Sequence, residues 1–153
     1  MAHGTVIEIY TALTREAALE SRDEVRAVPG KGLVGDRYHG SSGTYSSDPG
    51  PDRELTLIEL EKLEALKTDF DIEFSGAEAR RNILTRGVSL NELSGAEFYI
   101  GEVKVRGSRL CEPCAHLERL TSKKVVKGLV HKGGLRAQIL TEGIIHVGDR
   151  IVI

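Results

Sequence analysis

Only two cysteines occur among the 153 residues, and both fall in one short stretch, "RLCEPCAHL", at 109–117. Two are too few for a disulfide scaffold, so reduced thiols are expected. Apolar runs never exceed a few residues, which supplies no membrane-spanning helix. The start, "MAHGTVIEIYTAL", has neither a basic n-region nor a cleavage site and runs straight into strand-like sequence. No signal peptide is expected, and the expected location is cytoplasmic. A net charge of −2 gives no argument for nucleic-acid binding. Internal repeats are lacking, and the five histidines (His3, His39, His116, His131 and His146) make no HxxxH pair. No ferredoxin or flavin signature is present, so a redox role requires electron-transfer partners.

What remains is a chain of one-domain size, residues 1–153, with 40% hydrophobic and 29% charged residues, a balance that fits a folded core and not disorder. Charge is distributed unevenly. Residues 1–80 hold 9 basic and 16 acidic side chains, whereas residues 81–153 hold 12 and 7. Both cysteines lie in the basic half, where a positive field attracts anions and favours thiolate over thiol. An ordinary mixed surface is the alternative.

Strand signals dominate the pattern. Residues 4–13 alternate like a half-buried strand, and 24–35 form a strand running into a glycine-rich turn. The Ser-, Gly-, Pro- and Asp-rich stretch 41–54 reads as an exposed loop. Residues 55–70 begin as a strand and become helical, with Leu60, Leu63 and Leu66 on one face and 59–68 as the longest helix. Ser75 and Glu78 have capping-box spacing. "NILT" (82–85) is a strand ended by Gly87, and 96–110 hold two strands turning at Gly101. Residues 116–130 read as helical, and 133–153 as two or three strands with a turn at Gly148-Asp149. Seven or eight short strands with few helices predict a closed or nearly closed β-barrel, with 4–13, 97–109 and 134–153 in one barrel. Regular parallel βαβ winding fits poorly.

Four readings are open for Cys111-Glu112-Pro113-Cys114. A zinc site lacks two well-spaced further ligands. A dithiol pair wants a βαβ setting that the chain does not offer. Two buried cysteines serving as small hydrophobes are a third reading. The fourth is a single working thiol: Pro113 ends the strand, and Cys114 then stands where a helix begins, with Arg109 and Arg119 near in sequence. Both effects lower a thiol pKa and favour this fourth reading.

Five stretches then fall in the order of a known family: "GLVGDRYHG" (32–40), "RRNILTRGVSLNEL" (80–93), "FYIGEVKV" (98–105), "LCEPCAHLE" (110–118) and "HKGGLRAQILTEGIIHVGD" (131–149). Together they resemble the MOSC domain, the molybdenum-cofactor sulfurase C-terminal domain, as a stand-alone bacterial-type protein. The resemblance implies a mainly β fold, a mixed β-barrel with a few short helices, and a family cysteine after proline that maps onto Cys114. It also implies sulfur (persulfide) carriage or binding of molybdenum cofactor, with Cys114 as nucleophile or molybdenum ligand. Some relatives receive sulfur from a pyridoxal-phosphate desulfurase, and others reduce N-hydroxylated compounds with electron-transfer partners. No desulfurase domain lies in this chain, so a cysteine desulfurase or other sulfur donor is an expected partner. A binding module with both cysteines structural is the rival outside these classes.

A ligand cradle is read beside that resemblance. Molybdopterin offers a phosphate, a dithiolene and a polar ring, which call for cationic forks, backbone N–H groups and amides. Arg37 follows a glycine turn as an anion fork, while Asp36 orients neighbouring backbone or an arginine; a structural salt bridge is the alternative. Asn82 carries an amide suited to ring edges, with Arg81 beside it as an anion contact or a solvated charge. His131 and Arg136 belong to the basic, glycine-rich "HKGGLR" and suit a phosphate or sulfur anion; a loop tied down by its glycines is the alternative.

Overall fold

Alternation along two neighbouring strands shows how the core is built. In β7 (Glu97–Ile100) Phe98 and Ile100 are buried while Glu97 and Tyr99 face water, and in β8 (Val103–Leu110) Val103 and Val105 continue the buried side. The two form a hairpin with Phe98 opposite Val105, as the turn at Gly101 predicts. The computed structural model describes residues 3–12, 17–36, 54–110 and 134–153. Of the expected exposed loop at 41–54 only Glu54 lies within them, and it is buried where exposure was expected; the expected helix at 116–130 lies outside them.

Seven strands close into a ring. β1 (His3–Thr11) pairs with β11 (Arg150–Val152), β11 with β7, β7 with β8, and β8 with β9 (Leu135–Ile139). From there β9 pairs with β5 (Leu55–Glu59), β5 with β6 (Ile83–Arg86), and β6 returns to β1. Every pair is antiparallel except β5–β6. An odd ring cannot alternate direction all the way round, so at least one parallel pair is obligatory. A parallel pair needs a crossover, and α1 (Leu60–Phe70) and α2 (Gly76–Ala79) supply it. One βαβ unit therefore sits inside an architecture that regular βαβ winding does not describe.

This crossover explains why Leu55, Thr56, Leu57 and Ile58 are all buried. Leu55 and Leu57 point into the barrel with Ile83, Leu135 and Ala137, and Ile58 packs outside it with Leu63, Leu66 and Leu84. The leucines that mark α1 in the sequence face this second cluster. Ser75 and Glu78 form the expected capping box, each side chain bonding the other's backbone N–H at 3.1 Å.

One expectation is corrected. Residues 134–153 do not all join the barrel: β10 (Gly143–His146) pairs with β3 (Glu24–Val28) in a separate three-stranded sheet completed by β4 (Gly32–Leu33). Ile145, Val25 and Ala27 bury against the barrel core from there, so the apolar pattern is satisfied by a different partner. A short strand, β2 (Glu20–Arg22), adds to the outer edge of β1 without a strong sequence signal, since all three of its residues are exposed.

The register of β8 against β9 shifts between Gly107 and Arg109. At Gly107 the chain also meets residues 94–96: its N–H donates to Ala96 O, and its carbonyl accepts from Gly95 N–H, both at 2.8 Å. A Cβ there would lie 2.0 Å from Leu93 O, a backbone atom that cannot swing aside. Gly107→Ala is expected to destabilise the protein by at least ~2 kcal/mol, read as a lowered urea midpoint. An unchanged midpoint would show that the 93–96 segment is not held as described.

Candidate functional site

At the β5–β6 seam two side chains lock the parallel pair. Asn82, immediately before β6, is fully buried. Its Oδ1 accepts from both the N–H and the hydroxyl of Thr56, each at 3.1 Å. The Thr56 hydroxyl oxygen in turn accepts the Asn82 N–H at 3.0 Å. The Asn82 Nδ2 donates to the Tyr10 carbonyl at 3.2 Å, and the Tyr10 N–H donates to Asn82 O at 2.7 Å. One amide thus ties together β5, β6 and β1.

Arg136 lies on the other side of Thr56. It is Thr56's partner in the β5–β9 ladder and Arg109's partner in the β8–β9 ladder. Cross-strand partners project to the same side of a sheet, so Arg109, Arg136 and Thr56 form a polar row across β8, β9 and β5 that continues to Asn82. Arg136 is buried, at 8% exposure, and Arg109 is exposed. Just before β9, Gly134 adopts φ +106°, and a Cβ on it would meet Leu57 O at 1.9 Å. A glycine here lets the chain enter β9 hard against β5.

The sequence-predicted residues divide into three groups. Asn82 and Arg136 are brought together along this row, on either side of Thr56. Asp36 and Arg81 each bond backbone atoms outside it. Asp36 is buried and its Oδ1 accepts the Ala12 N–H at 3.1 Å, just beyond the end of β1. Arg81 is half-buried and donates to Ala79 O at 3.2 Å, while its neighbour Arg80 donates to Ala17 O at 2.7 Å. Arg37, Cys114 and His131 lie outside the described residues, as do Cys111, His39 and His116. The stretch that carries both cysteines leaves β8 after Leu110 and returns at Gly134 before β9; Leu110 and Leu135 are ladder partners.

Two contributors escape the sequence reading. Thr56 is the lone polar residue within the buried run Leu55–Ile58, and that oddity was its signal. Glu54 is buried, and its Oε1 accepts from Gly30 N–H at 2.9 Å and Ile139 N–H at 3.3 Å. It thereby joins the β3–β4 turn to the end of β9. Burial pushes its carboxyl above the usual carboxylate value, partly opposed by the two N–H donors. Burial likewise raises Glu59, against Lys62 and the Leu90 N–H. Tyr10 is buried and raised for the same reason, aided by its hydrogen bond to Glu8. Among the described residues no three His, Cys, Asp or Glu side chains gather as a metal site.

The family model of the MOSC domain matches residues 36–152. The fold is similar to that of the YuaD protein from Bacillus subtilis, at 15% identity and TM-score 0.81, covering 97% of this chain and 94% of that one. YiiM from Geobacillus stearothermophilus gives 18% identity and TM-score 0.70, covering 97% of this chain and 74% of that one. YiiM from Escherichia coli gives 19% and 0.71, with 97% and 68% covered. At these identities the likeness shows a shared fold. No curated protein matches the sequence. Among the described residues no helix is long and apolar enough to cross a membrane.

Two measurements check the wiring. Asn82→Ala leaves the Thr56 N–H and the Tyr10 carbonyl without partners inside the wall, at an expected cost of about 3 kcal/mol in a urea titration; a loss below about 0.5 kcal/mol would deny the lock. Glu54 gives a pH effect. A carboxyl raised on folding holds its proton more tightly in the folded state, so its contribution to stability is full below the ordinary 4.5 and falls as pH rises through the folded value. Glu54→Gln keeps the acceptor oxygen without the charge. The stability difference between Glu54→Gln and wild type should therefore shift in the variant's favour as pH rises from 4.5. Parallel pH profiles would mean that Glu54 ionises as it does in water.

Proposed function

The chain belongs to the MOSC domain family, and from that premise we propose that it serves molybdenum-cofactor chemistry with the Cys114 thiolate as a carrier of sulfane sulfur. The observation that supports this reading is the buried guanidinium of Arg136, held in a polar row at the return of the very connection that contains Cys114. A guanidinium in a low-dielectric wall favours anions at that end of the connection. Sulfur carriage needs such a field, because both the thiolate and its persulfide are anionic.

The transfer balances without an external oxidant or reductant. The Cys114 thiolate attacks the terminal sulfur of a donor persulfide, a new S–S bond forms, the donor's S–S bond breaks, and the donor leaves as thiolate. Delivery to an acceptor repeats the exchange in the other direction. A separate protein such as a cysteine desulfurase supplies the sulfur.

The donor set also suits the molybdenum cofactor. Arg136 provides a buried cation for its phosphate, with Asp36, Arg37, Arg81, Asn82 and His131 as further contacts and Cys114 as the thiolate for the metal. When bound, the cofactor supplies two-electron redox chemistry, which underlies reduction of N-hydroxylated compounds with electron-transfer partners. Asn82 is constrained in this role. Its Oδ1 is committed to Thr56, so it offers a ligand only the remaining Nδ2–H, and its larger contribution is to hold the wall.

Persulfide trapping and molybdenum analysis on protein from a cofactor-competent host test the reading. Cys114→Ser is expected to abolish persulfide loading or metal retention, and Cys111→Ser to leave most of it. In wild type, alkylation of Cys114 should follow an apparent pKa below the ~8.5 of a free thiol. Equal losses from both substitutions would restore a dithiol pair, and no loss from either would reduce the cysteines to packing.

A further inference from the structure

Strand β2 ends the large sheet, and among the described residues it pairs with β1 alone. Its three residues, Glu20, Ser21 and Arg22, are all exposed. The hydrogen bonds of β1 decide which backbone groups this edge offers. The Tyr10 N–H donates to Asn82 O, and Tyr10 O accepts from Asn82 Nδ2, so both Tyr10 groups point towards β6. Tyr10 and its ladder partner Ser21 are therefore a non-hydrogen-bonded pair. The N–H and C=O of Ser21 point away from β1, whereas those of Glu20 and Arg22 point towards it.

Short, charged edges ordinarily discourage further pairing. The order of the charges in β2 reverses that for one partner, an identical strand. Antiparallel pairing about a two-fold axis sets one residue opposite itself. Centred on Glu20 or on Arg22, the pair would bring like charges face to face, which destabilises it. Centred on Ser21, it sets Glu20 of each chain opposite Arg22 of the other. The same register joins the two Ser21 residues by reciprocal N–H···O=C bonds, using the groups that point outward. Glu20 and Arg22 already share a face, since Arg22 Nη2 lies 3.2 Å from Glu20 Oε2 within one chain. The four side chains then form one row of alternating charge.

We propose that β2 is a self-recognition edge through which two copies of this chain pair antiparallel about Ser21. The partner is a second copy because the charge order Glu-Ser-Arg is complementary to its own reverse. The contact is small. The chain bends at Asp23, whose carbonyl is taken by the Val147 N–H at 2.9 Å, so the ladder stops at three residues. Two hydrogen bonds and two exposed ion pairs across the axis give a weak, salt-sensitive dimer and not an obligate one. The pairing stands independently of the sulfur-carrier reading.

Sedimentation velocity on the full chain over a rising concentration series reads the dimer constant. Wild type should show a sedimentation coefficient that climbs with concentration, less steeply once sodium chloride is added. Ser21→Pro removes the outward N–H and spares the β1 ladder, to which Ser21 donates nothing; it should abolish the climb. Glu20→Arg sets arginine opposite arginine and should weaken the constant at least ~10-fold, as should Arg22→Glu with its opposed glutamates. A mixture of those two variants regains opposite charges at both positions and should associate about as tightly as wild type. Circular dichroism checks that each variant, changed only at exposed positions, is folded. Wild type that stays monomeric throughout, or a mixture no tighter than its separate components, overturns the proposal. A Ser21→Pro dimer as tight as wild type does the same.

Discussion

Direction is the constraint on which this structure depends. Seven strands closed in a ring must include a parallel pair, and the protein places it between β5 and β6. The remaining features gather round that seam. It requires a crossover, which brings α1 and α2 over the outside of the barrel and buries both faces of β5. Parallel ladders are slightly weaker per residue than antiparallel ones, and here the Thr56–Asn82 exchange adds three hydrogen bonds across the pair. Tyr10 carries the same network into β1.

The polar groups built into the wall have different tasks. Asn82 and Thr56 satisfy one another almost completely, which is why buried amide and hydroxyl groups are tolerable there. Glu54 and Glu59 cap backbone N–H groups at junctions, and burial makes both harder to ionise. Exposed charges behave otherwise. Glu97 on β7 bonds Arg106 and Lys104 across the hairpin, and these contacts hold its carboxyl below the usual range. Pairs of this exposed kind steady a surface and contribute little to stability. Arg136 fits neither group, since it lies in the wall with another cation across the ladder.

Local signals made part of the architecture legible before any coordinates. The hairpin around Gly101, the leucine face of α1 and the Ser75–Glu78 box each involve residues close in sequence, where period and capping chemistry decide the outcome. Non-local choices were not legible. Nothing in "GIIH" tells β10 to pair with Glu24–Val28 instead of joining the barrel, because an apolar pattern marks a buried side chain such as Ile145 and does not name the strand beside it. The site divides in the same way. Asp36, Asn82 and Arg136 stood out as polar residues beside glycine turns or strand ends. The Arg109–Arg136 juxtaposition depends on a register shift that no pattern of residue types encodes.

Closure of the barrel also sets a condition on how the protein folds. His3 in the first strand is the ladder partner of Val152 in the last, and Gly4 is the partner of Ile151. A ribosome releasing this chain has emitted β1 long before β11 exists, so the ring cannot shut during most of synthesis. Until then the open sides of β1 and β7 expose unpaired backbone, the kind of edge that invites association with other chains. Such distant pairing places the protein among the slow folders. The three residues of β11 are therefore the closing clasp of the structure, and the nascent chain has to wait for them.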